Sequence, residues 1–432
     1  MKHELSGRTV LVAGMGKSGL AAIDLLRKQG AHVLAADEKP RPDLGMEVLP
    51  QTAETFTRAD LIVLSPGVPT DAPAVEAARQ KGIPILGELE LAGYFLNGPS
   101  IGITGANGKT TTTALIGHLL KECGIPSQVG GNIGTAPAAM VDASREDQWN
   151  VLELSSFQLE TIDTFHAHIA LCTNVTPDHL DRHHTFENYA AAKARLFETQ
   201  RDDAHAVLNA DDATCKGYAR LTRAEVHWFS RCDRTAEFFF DGETLLAGRQ
   251  PLLRAEDLPI RGVHNVENAM AASAAAHIAG APLDGIAAAL RTFPGVEHRL
   301  EFVRERNGVR YYNDSKATNV DATEKAIDAF PGNLWIILGG KDKNSDYTVL
   351  RDKLRAKAKG ILLIGAAAGK IAGQLEGLPL MDEGTLQKAV ADATSRAAAG
   401  DIILLAPACA SFDQFDSYEH RGRVFKDLVR SL

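Results

Sequence analysis

The chain has 432 residues, 46 Lys plus Arg against 55 Asp plus Glu, and a formal net charge of −9. That length exceeds one ordinary core and predicts roughly two to four domains, while the acidic balance excludes a general polyanion binder, so no nucleic-acid partner is expected. No apolar run approaches the roughly 20 residues of a membrane span, and no early segment has the make-up of a secretion signal. Cys123, Cys172, Cys215, Cys232 and Cys409 are odd in number and never Cys-x-x-Cys, and they read as reduced thiols of a cytoplasmic protein.

Residues 8–13 read as a strand and 18–29 as a helix. Between them Gly14-Met-Gly-Lys-Ser-Gly19 fits G-x-G-x-x-G, and Asp37 follows at the end of a second strand. A glycine turn opening a helix lets backbone N–H groups approach a phosphate, and an acidic residue at that spacing suits a ribose. Residues 61–64 read as another strand with Ser65-Pro-Gly-Val-Pro69 at its C-terminal end, where open α/β sheets bind ligands. The residues alone admit NAD, the pyrophosphate of UDP, or a plain packing turn. Lys17, Ser18, Asp37, Ser65 and Gly67 are the candidate contacts.

After a linker at 97–100, Ile101-Gly-Ile-Thr-Gly-Ala-Asn-Gly-Lys-Thr-Thr-Thr112 reads as buried strand, tight loop and helix. Such a loop gathers N–H groups at a helix N-terminus for a phosphate. Lys109 would neutralise the β/γ oxygens, and the Thr110 hydroxyl is placed for Mg²⁺. The strict pattern G-x-x-x-x-G-K-[ST] is not met, because Ile103 stands where the first glycine belongs. Gly105, Asn107, Gly108, Lys109, Thr110 and Thr111 are candidate ATP contacts, and Asn132, in a glycine-rich loop, is a further ligand contact. Glu153 lies in an apolar strand, where a carboxylate needs either Mg²⁺ or an arginine partner. The acids and imidazoles of 173–184 raise a zinc site, which is set aside for want of a nearby thiolate or a His-x₃-His pair on a helix. Lys193 falls in an amphipathic helix over 187–200, a position where lysine ordinarily points to solvent. An alanine-rich core helix spans 263–279, with Asn268 near its start.

Phe293-Pro-Gly-Val-Glu-His-Arg-Leu300 has the punctuation of a hinge. Strands at 311–313, 335–338, 361–364 and 401–405 then alternate with helices, which predicts another small parallel sheet. Their C-terminal loops include Asn313-Asp-Ser-Lys-Ala-Thr-Asn319, Gly339-Gly-Lys-Asp-Lys343 and Ala406-Pro-Ala-Cys-Ala-Ser-Phe-Asp-Gln-Phe415.

The phosphate loop Thr-Gly-x-Asn-Gly-Lys-Thr resembles that of the Mur ligases, the ATP-dependent ligases of peptidoglycan precursors. So do Asn-Val-Thr-x-Asp-His-x-Asp-Arg-His, Tyr-x₃-Lys-x-Arg, His-Asn-x-x-Asn-Ala, Pro-x-x-x-His-Arg and the two long motifs of the last segment, so the resemblance covers nearly the whole chain. It implies an α/β fold of three domains closing over one cleft: a Rossmann-like UDP-sugar domain at 1–94, a central P-loop ATP domain at 95–298 and a C-terminal Rossmann-like amino-acid domain at 299–432. It implies His179 as a magnesium ligand and Lys193 as a lysine carbamylated by CO₂, an anion suited to a second Mg²⁺. Such a lysine must first be neutral, which requires a lowered pKa. Lys109, His179 and Lys193 are then the catalytic set, and Asn268, Arg299 and Asp314 fall to ATP.

The motifs of the last segment are similar to those of members that add D-glutamate to UDP-N-acetylmuramoyl-L-alanine. Tyr418 replaces a usual phenylalanine, and Lys341-Asp-Lys343 replaces Asp-Gly-Lys. D-Glutamate contacts are expected from Lys316, Thr318, Lys343, Ser411, Phe412 and Tyr418, with Lys343 on the side-chain carboxylate and added N–H groups if a helix starts near Ser411. The D configuration rests wholly on the resemblance. A monomer acting on small molecules, with no membrane partner, is expected. The alternatives are a folylpolyglutamate synthetase, a dehydrogenase that would leave the phosphate loop unexplained, and a nucleotide switch that would leave two ligand domains unexplained.

Overall fold

The structure is a computed structural model that describes residues 5–260, 262–342 and 344–432, and the backbone alone at Asp181. Its strands form three separate sheets. Compact packing divides the chain into two units: 1–259 with 264–293, which holds the first two sheets, and 260–263 with 294–432, which holds the third.

The first sheet comprises β1 (Thr9–Ala13), β2 (His32–Asp37), β3 (Val48–Pro50), β4 (Leu61–Leu64) and β5 (Ile85–Gly87), in the order β3-β2-β1-β4-β5. All pairs are parallel. Val10, Leu11, Val12, Ile62 and Val63 are fully buried, as expected of strands covered on both faces by helices. The strand order reverses between β1 and β4, so the loops that follow these two strands lie side by side at the switch point.

The second sheet comprises β6 (Ser100–Thr104), β7 (Ser127–Gly131), β8 (Trp149–Glu153), β9 (Ile169–Cys172), β10 (His205–Asn209), β11 (Glu225–Ser230), β12 (Phe238–Phe240), β13 (Thr244–Ala247) and β14 (Gln250–Arg254). Its order is β14-β13-β12-β11-β10-β9-β6-β8-β7. Every pair is parallel except β12 with β13 and β13 with β14. Helix Lys109–Glu122 follows β6 directly. Central β6 is flanked by β8 and β9, which sets the ends of those strands around the loop after β6.

The third sheet comprises β15 (Glu301–Arg306), β16 (Val309–Asn313), β17 (Leu334–Gly339), β18 (Ala358–Ile364), β19 (Leu380–Gly384) and β20 (Ile402–Leu405), in the order β15-β16-β20-β17-β18-β19. It differs from the purely parallel sheet read in the sequence, because β15 pairs antiparallel with β16. The hairpin turns at Asn307 and Gly308, both with positive φ (50° and 75°). Asn-Gly is the dipeptide that a type I′ turn selects. Nor does a helix start near Ser411: the next helix, Tyr418–Ser431, begins seven residues on and is capped by Ser417. Ser411 instead accepts the backbone N–H groups of Gln414 and Phe415 in a turn.

Candidate active site

The loop after β6 takes its shape from glycine. Gly105 and Gly108 have φ of 143° and 86°, and a Cβ on them would stand 2.0 Å from Thr173 Oγ1 and 2.2 Å from Asn268 Oδ1. Any other residue there meets both backbone strain and a polar wall. The segment after β9 braces the loop from the side. Ala106 N donates to Asn174 O at 2.8 Å, Asn107 N to Asn174 Oδ1 at 3.0 Å, and Thr173 Oγ1 to Asn107 O at 2.6 Å. Thr173 and Asn174 are thus bracing residues that the sequence reading passed over, although Asn174 opens a motif it quoted and Thr173 directly precedes it. Asn268 is buried, and its Oδ1 accepts from Thr112 Oγ1 at 3.3 Å, so it shapes the loop from below. Helix Lys109–Glu122 starts at Gly108 with no side-chain cap, and its leading N–H groups with the dipole suit an anion. Thr110 is nearly buried, and Thr111 is buried with an Oγ1 that has no hydrogen-bond partner among the described residues.

Two buried side chains adjoin this loop. Glu153 ends β8 at 2% exposure. Its Oε1 accepts from Asn132 Nδ2 at 2.9 Å, and its Oε2 has no partner among the described residues. Among the described residues no arginine pairs with it. Lys193 is 1% exposed. Its Nζ donates to Gly105 O at 2.8 Å and lies 4.5 Å from the centre of the Tyr189 ring. Burial, and then the charge of Lys109, push its pKa down to about 7. A helix lysine ordinarily stays in water, and this one does not.

His179 follows β9 in the left-handed conformation, with φ of 53°. It is exposed, with its ring edge-on to Phe157 at 4.8 Å. The neighbouring His183 is buried: Nε2 lies 2.9 Å from Ser156 Oγ and Nδ1 lies 3.3 Å from Glu160. Burial lowers its pKa. Arg182 donates to Glu160 at 2.8 Å and to Val68 O at 3.1 Å, which ties this segment to the loop after β4.

In the first sheet the loop after β1 is fixed by its neighbours. Ser65 Oγ donates to Gly14 O at 2.6 Å, Met15 N to Asp37 Oδ2 at 2.7 Å, and Arg41 Nη1 to Met15 O at 2.7 Å. Asp37 therefore positions the glycine loop itself. Lys17 and Gly67 are exposed and Ser18 half-buried, at the uncapped start of helix Lys17–Lys28 and in the loop after β4.

In the second compact unit, the loops after β16, β20 and β17 are neighbours because those strands are adjacent. Lys341 and Ala410 bond each other through their backbones at 2.8 and 3.1 Å. Arg421, fully buried, donates to Ser315 Oγ and Ser315 O at 2.9 Å and to Cys409 O at 3.2 Å. It joins two loops through hydroxyl and carbonyl acceptors, and nothing in its sequence surroundings announced it. Lys316 Nζ lies over the Tyr418 ring at 5.8 Å, and that ring stands edge-on to His298 at 6.2 Å. Thr318 is half-buried, Ser411 is buried and Phe412 is 67% exposed. Burial raises the pKa of Asp314 to about 6, against the lowering effect of Arg299. The Nε of Arg299 has no hydrogen-bond partner among the described residues. Lys343 lies outside the described residues.

A braced strand–glycine loop–helix in the central sheet, with a sheet of dinucleotide-binding order beside it in the chain, defines a phosphate-loop α/β protein. Comparison narrows that class. The family descriptions "Mur ligase MurD-like, N-terminal domain", "Mur ligase middle domain" and "Mur ligase, glutamate ligase domain" match residues 8–87, 103–276 and 298–409. The chain belongs to the Mur ligase family. It is 58% identical to a UDP-N-acetylmuramoylalanine–D-glutamate ligase of Solibacter usitatus, over 99% of both chains. It is 51% identical to the protein of that name from Acidobacterium capsulatum, over 99% of this chain and 97% of the other. Among solved structures, a UDP-N-acetylmuramate-alanine ligase from Thermotoga maritima shares the fold, with a TM-score of 0.64 and 18% identity over 98% of this chain and 99% of that one.

Proposed function

We propose that this chain joins D-glutamate to UDP-N-acetylmuramoyl-L-alanine with hydrolysis of ATP to ADP and phosphate, a step of cytoplasmic peptidoglycan precursor synthesis. The observation that carries the reading is the 58% identity, over 99% of both chains, to a ligase of that name. A carboxylate is a poor electrophile until it bears a leaving group. The γ-phosphoryl passes to the carboxylate of the nucleotide sugar, giving an acyl phosphate and ADP. The neutral amine of D-glutamate then attacks, and phosphate leaves from the tetrahedral intermediate. Phosphoryl transfer asks mainly for positioning and charge neutralisation. The N–H groups at 105–111 and the ammonium of Lys109 supply both.

The residues fit Mg²⁺. Glu153 keeps a buried oxygen without a donor among the described residues, and a buried Lys193 amine with a pKa near 7 is reactive toward CO₂. In that reaction the neutral amine nitrogen bonds to the carbon of CO₂ and one proton leaves to solvent; counted from the ammonium, two protons leave and a cation becomes an anionic carbamate. Glu153, His179, Thr110 and the carbamate are the proposed ligands. Bound Mg²⁺ would offset phosphate charge. Lys17, Ser18, Asp37, Ser65, Gly67 and Asn132 are assigned to the UDP-sugar, Asn268, Arg299 and Asp314 to ATP, and Lys316, Thr318, Lys343, Ser411, Phe412 and Tyr418 to D-glutamate.

The test is ADP release from the purified chain with UDP-N-acetylmuramoyl-L-alanine and Mg²⁺, with and without D-glutamate. Release that depends on D-glutamate supports the reading, and release indifferent to it ends it. Calorimetric titration with UDP and with NAD settles the first domain separately: binding of NAD with no UDP signal would return it to the dinucleotide reading.

A further inference from the structure

A second set of ligating side chains stands at the other end of the central sheet. His205 opens β10, and Glu225 and His227 are the first and third residues of β11. The two strands are parallel, with His205 opposite Glu225, and alternation puts Glu225 and His227 on one face. These are the N-terminal ends of the strands, whereas the phosphate loop leaves the C-terminal end of β6. The cluster therefore has no part in the ligation described above.

His205 Nδ1 lies 3.0 Å from His227 Nε2 and 3.6 Å from Glu225 Oε2. One ligand atom from each of the three residues lies within 4.8 Å of the others. Ligands held tetrahedrally at about 2.0–2.1 Å from a zinc ion stand about 3.3–3.4 Å apart, a value that the two measured separations bracket. A further carboxylate sets the tautomer. His227 Nδ1 lies 2.8 Å from Glu237 Oε2, on the residue that leads into β12. A carboxylate only accepts, so Nδ1 carries the proton and Nε2 turns its lone pair to the cluster. This carboxylate–histidine arrangement is the outer shell that metal-bound imidazoles use. The side chains of His205 and Glu225 are 35% and 69% exposed, which leaves an entry path from solvent.

We propose that His205, Glu225 and His227 bind one transition-metal dication of the zinc class, with a water completing the shell and Glu237 orienting His227. Two imidazoles and one carboxylate favour zinc, cobalt or nickel over magnesium or calcium. Bound there, the ion ties β10 to β11 and, through Glu237, to the chain entering β12. Its effect is on the stability of the central sheet.

The experiment uses the full chain without an affinity tag, stripped with chelator, in saturating Mg²⁺ to occupy oxygen-rich sites. Titration with Co²⁺ is followed by visible absorption, where a four-coordinate ion gives a far stronger band than a six-coordinate one. One equivalent giving the strong band, displaced by Zn²⁺ and lost in both His205→Ala and His227→Ala, supports the site. Glu237→Gln should keep the band and weaken affinity by roughly 10- to 100-fold. Zn²⁺ should raise the urea midpoint of the wild type and not that of His227→Ala, while D-glutamate-dependent ADP release by that variant stays at the wild-type rate. No stoichiometric Co²⁺ uptake at micromolar concentration, or a band that survives His227→Ala in a variant with unchanged circular dichroism, overturns the proposal.

Discussion

Lys109 and Lys193 donate to the same atom. Each Nζ lies 2.8 Å from the carbonyl oxygen of Gly105, one from the helix that follows the loop and the other from helix Phe186–Glu198. Two ammonium groups on one acceptor, with Lys193 buried, repel each other in a medium that screens poorly. The one with less access to water is the one that loses its proton most readily. Burial and the charge of Lys109 lower the pKa of Lys193, which is the condition that the proposed carbamate requires.

Lys193→Ala should lower ligation at least roughly 100-fold, the upper range for disturbing a metal site. Added acetate or another short carboxylate should restore part of it by filling the anionic position. ¹³C-labelled bicarbonate should give a carbamate resonance in the wild type that is absent from the variant. Wild-type turnover in Lys193→Ala would sink the carbamate.

Glu88 predicts a pH dependence of stability. Its side chain is 1% exposed, Oε1 accepts from Ala138 N, and Oε2 has no partner among the described residues. Burial raises its pKa from 4.5 to about 7. Between those values the folded chain holds a proton that the unfolded chain releases, so stability from this group is complete below pH 4.5 and is lost as pH rises to 7. The loss is on the order of 3 kcal/mol. Urea unfolding of Glu88→Gln across that window should lack this slope, and an unchanged slope would assign it to other groups.

Arg421→Lys should destabilise the second compact unit by about 2–5 kcal/mol, because one ammonium cannot reach all the buried acceptors that the guanidinium serves. Unfolding followed by the fluorescence of Trp335, whose Nε1 donates to Asp401 just before β20, reports on that unit. A change below about 0.5 kcal/mol, the size of an ordinary surface substitution, would show that the loops after β16 and β20 hold without it.

Lys343→Ala should raise the KM for D-glutamate. Losing a charge-assisted hydrogen bond costs about 1.5–3 kcal/mol, or roughly 10- to 150-fold in affinity. The KM values for ATP and the nucleotide sugar should change little. An equal rise in all three would remove this lysine from the amino-acid site.

The strands that frame the sites were legible because buried parallel strands are short apolar runs. Residues 61–64 and the helix from Lys109 match the structure closely. The glycine loops were legible too, since backbone close to a phosphate excludes side chains whatever surrounds it. Less local features were not. Glu301–Arg306 is an edge strand followed by Asn307-Gly308, yet it has no assignment in the sequence reading, where it falls between the hinge read at 293–300 and the strand read at 311–313.

Residue order alone determined which chemical groups each loop carries, and the family motifs tied those groups to a reaction. Only the tertiary structure decided their physical state. Lys193 is a solvated helix lysine by its neighbours in sequence, and a buried amine at pKa about 7 because its helix packs against Gly105. Asn174 becomes a brace and Arg421 a clasp through contacts far along the chain. His205 and His227 meet only because β10 and β11 pair in one register. Burial, charge proximity and strand register are sums over residues distant in sequence, and no local pattern contains them.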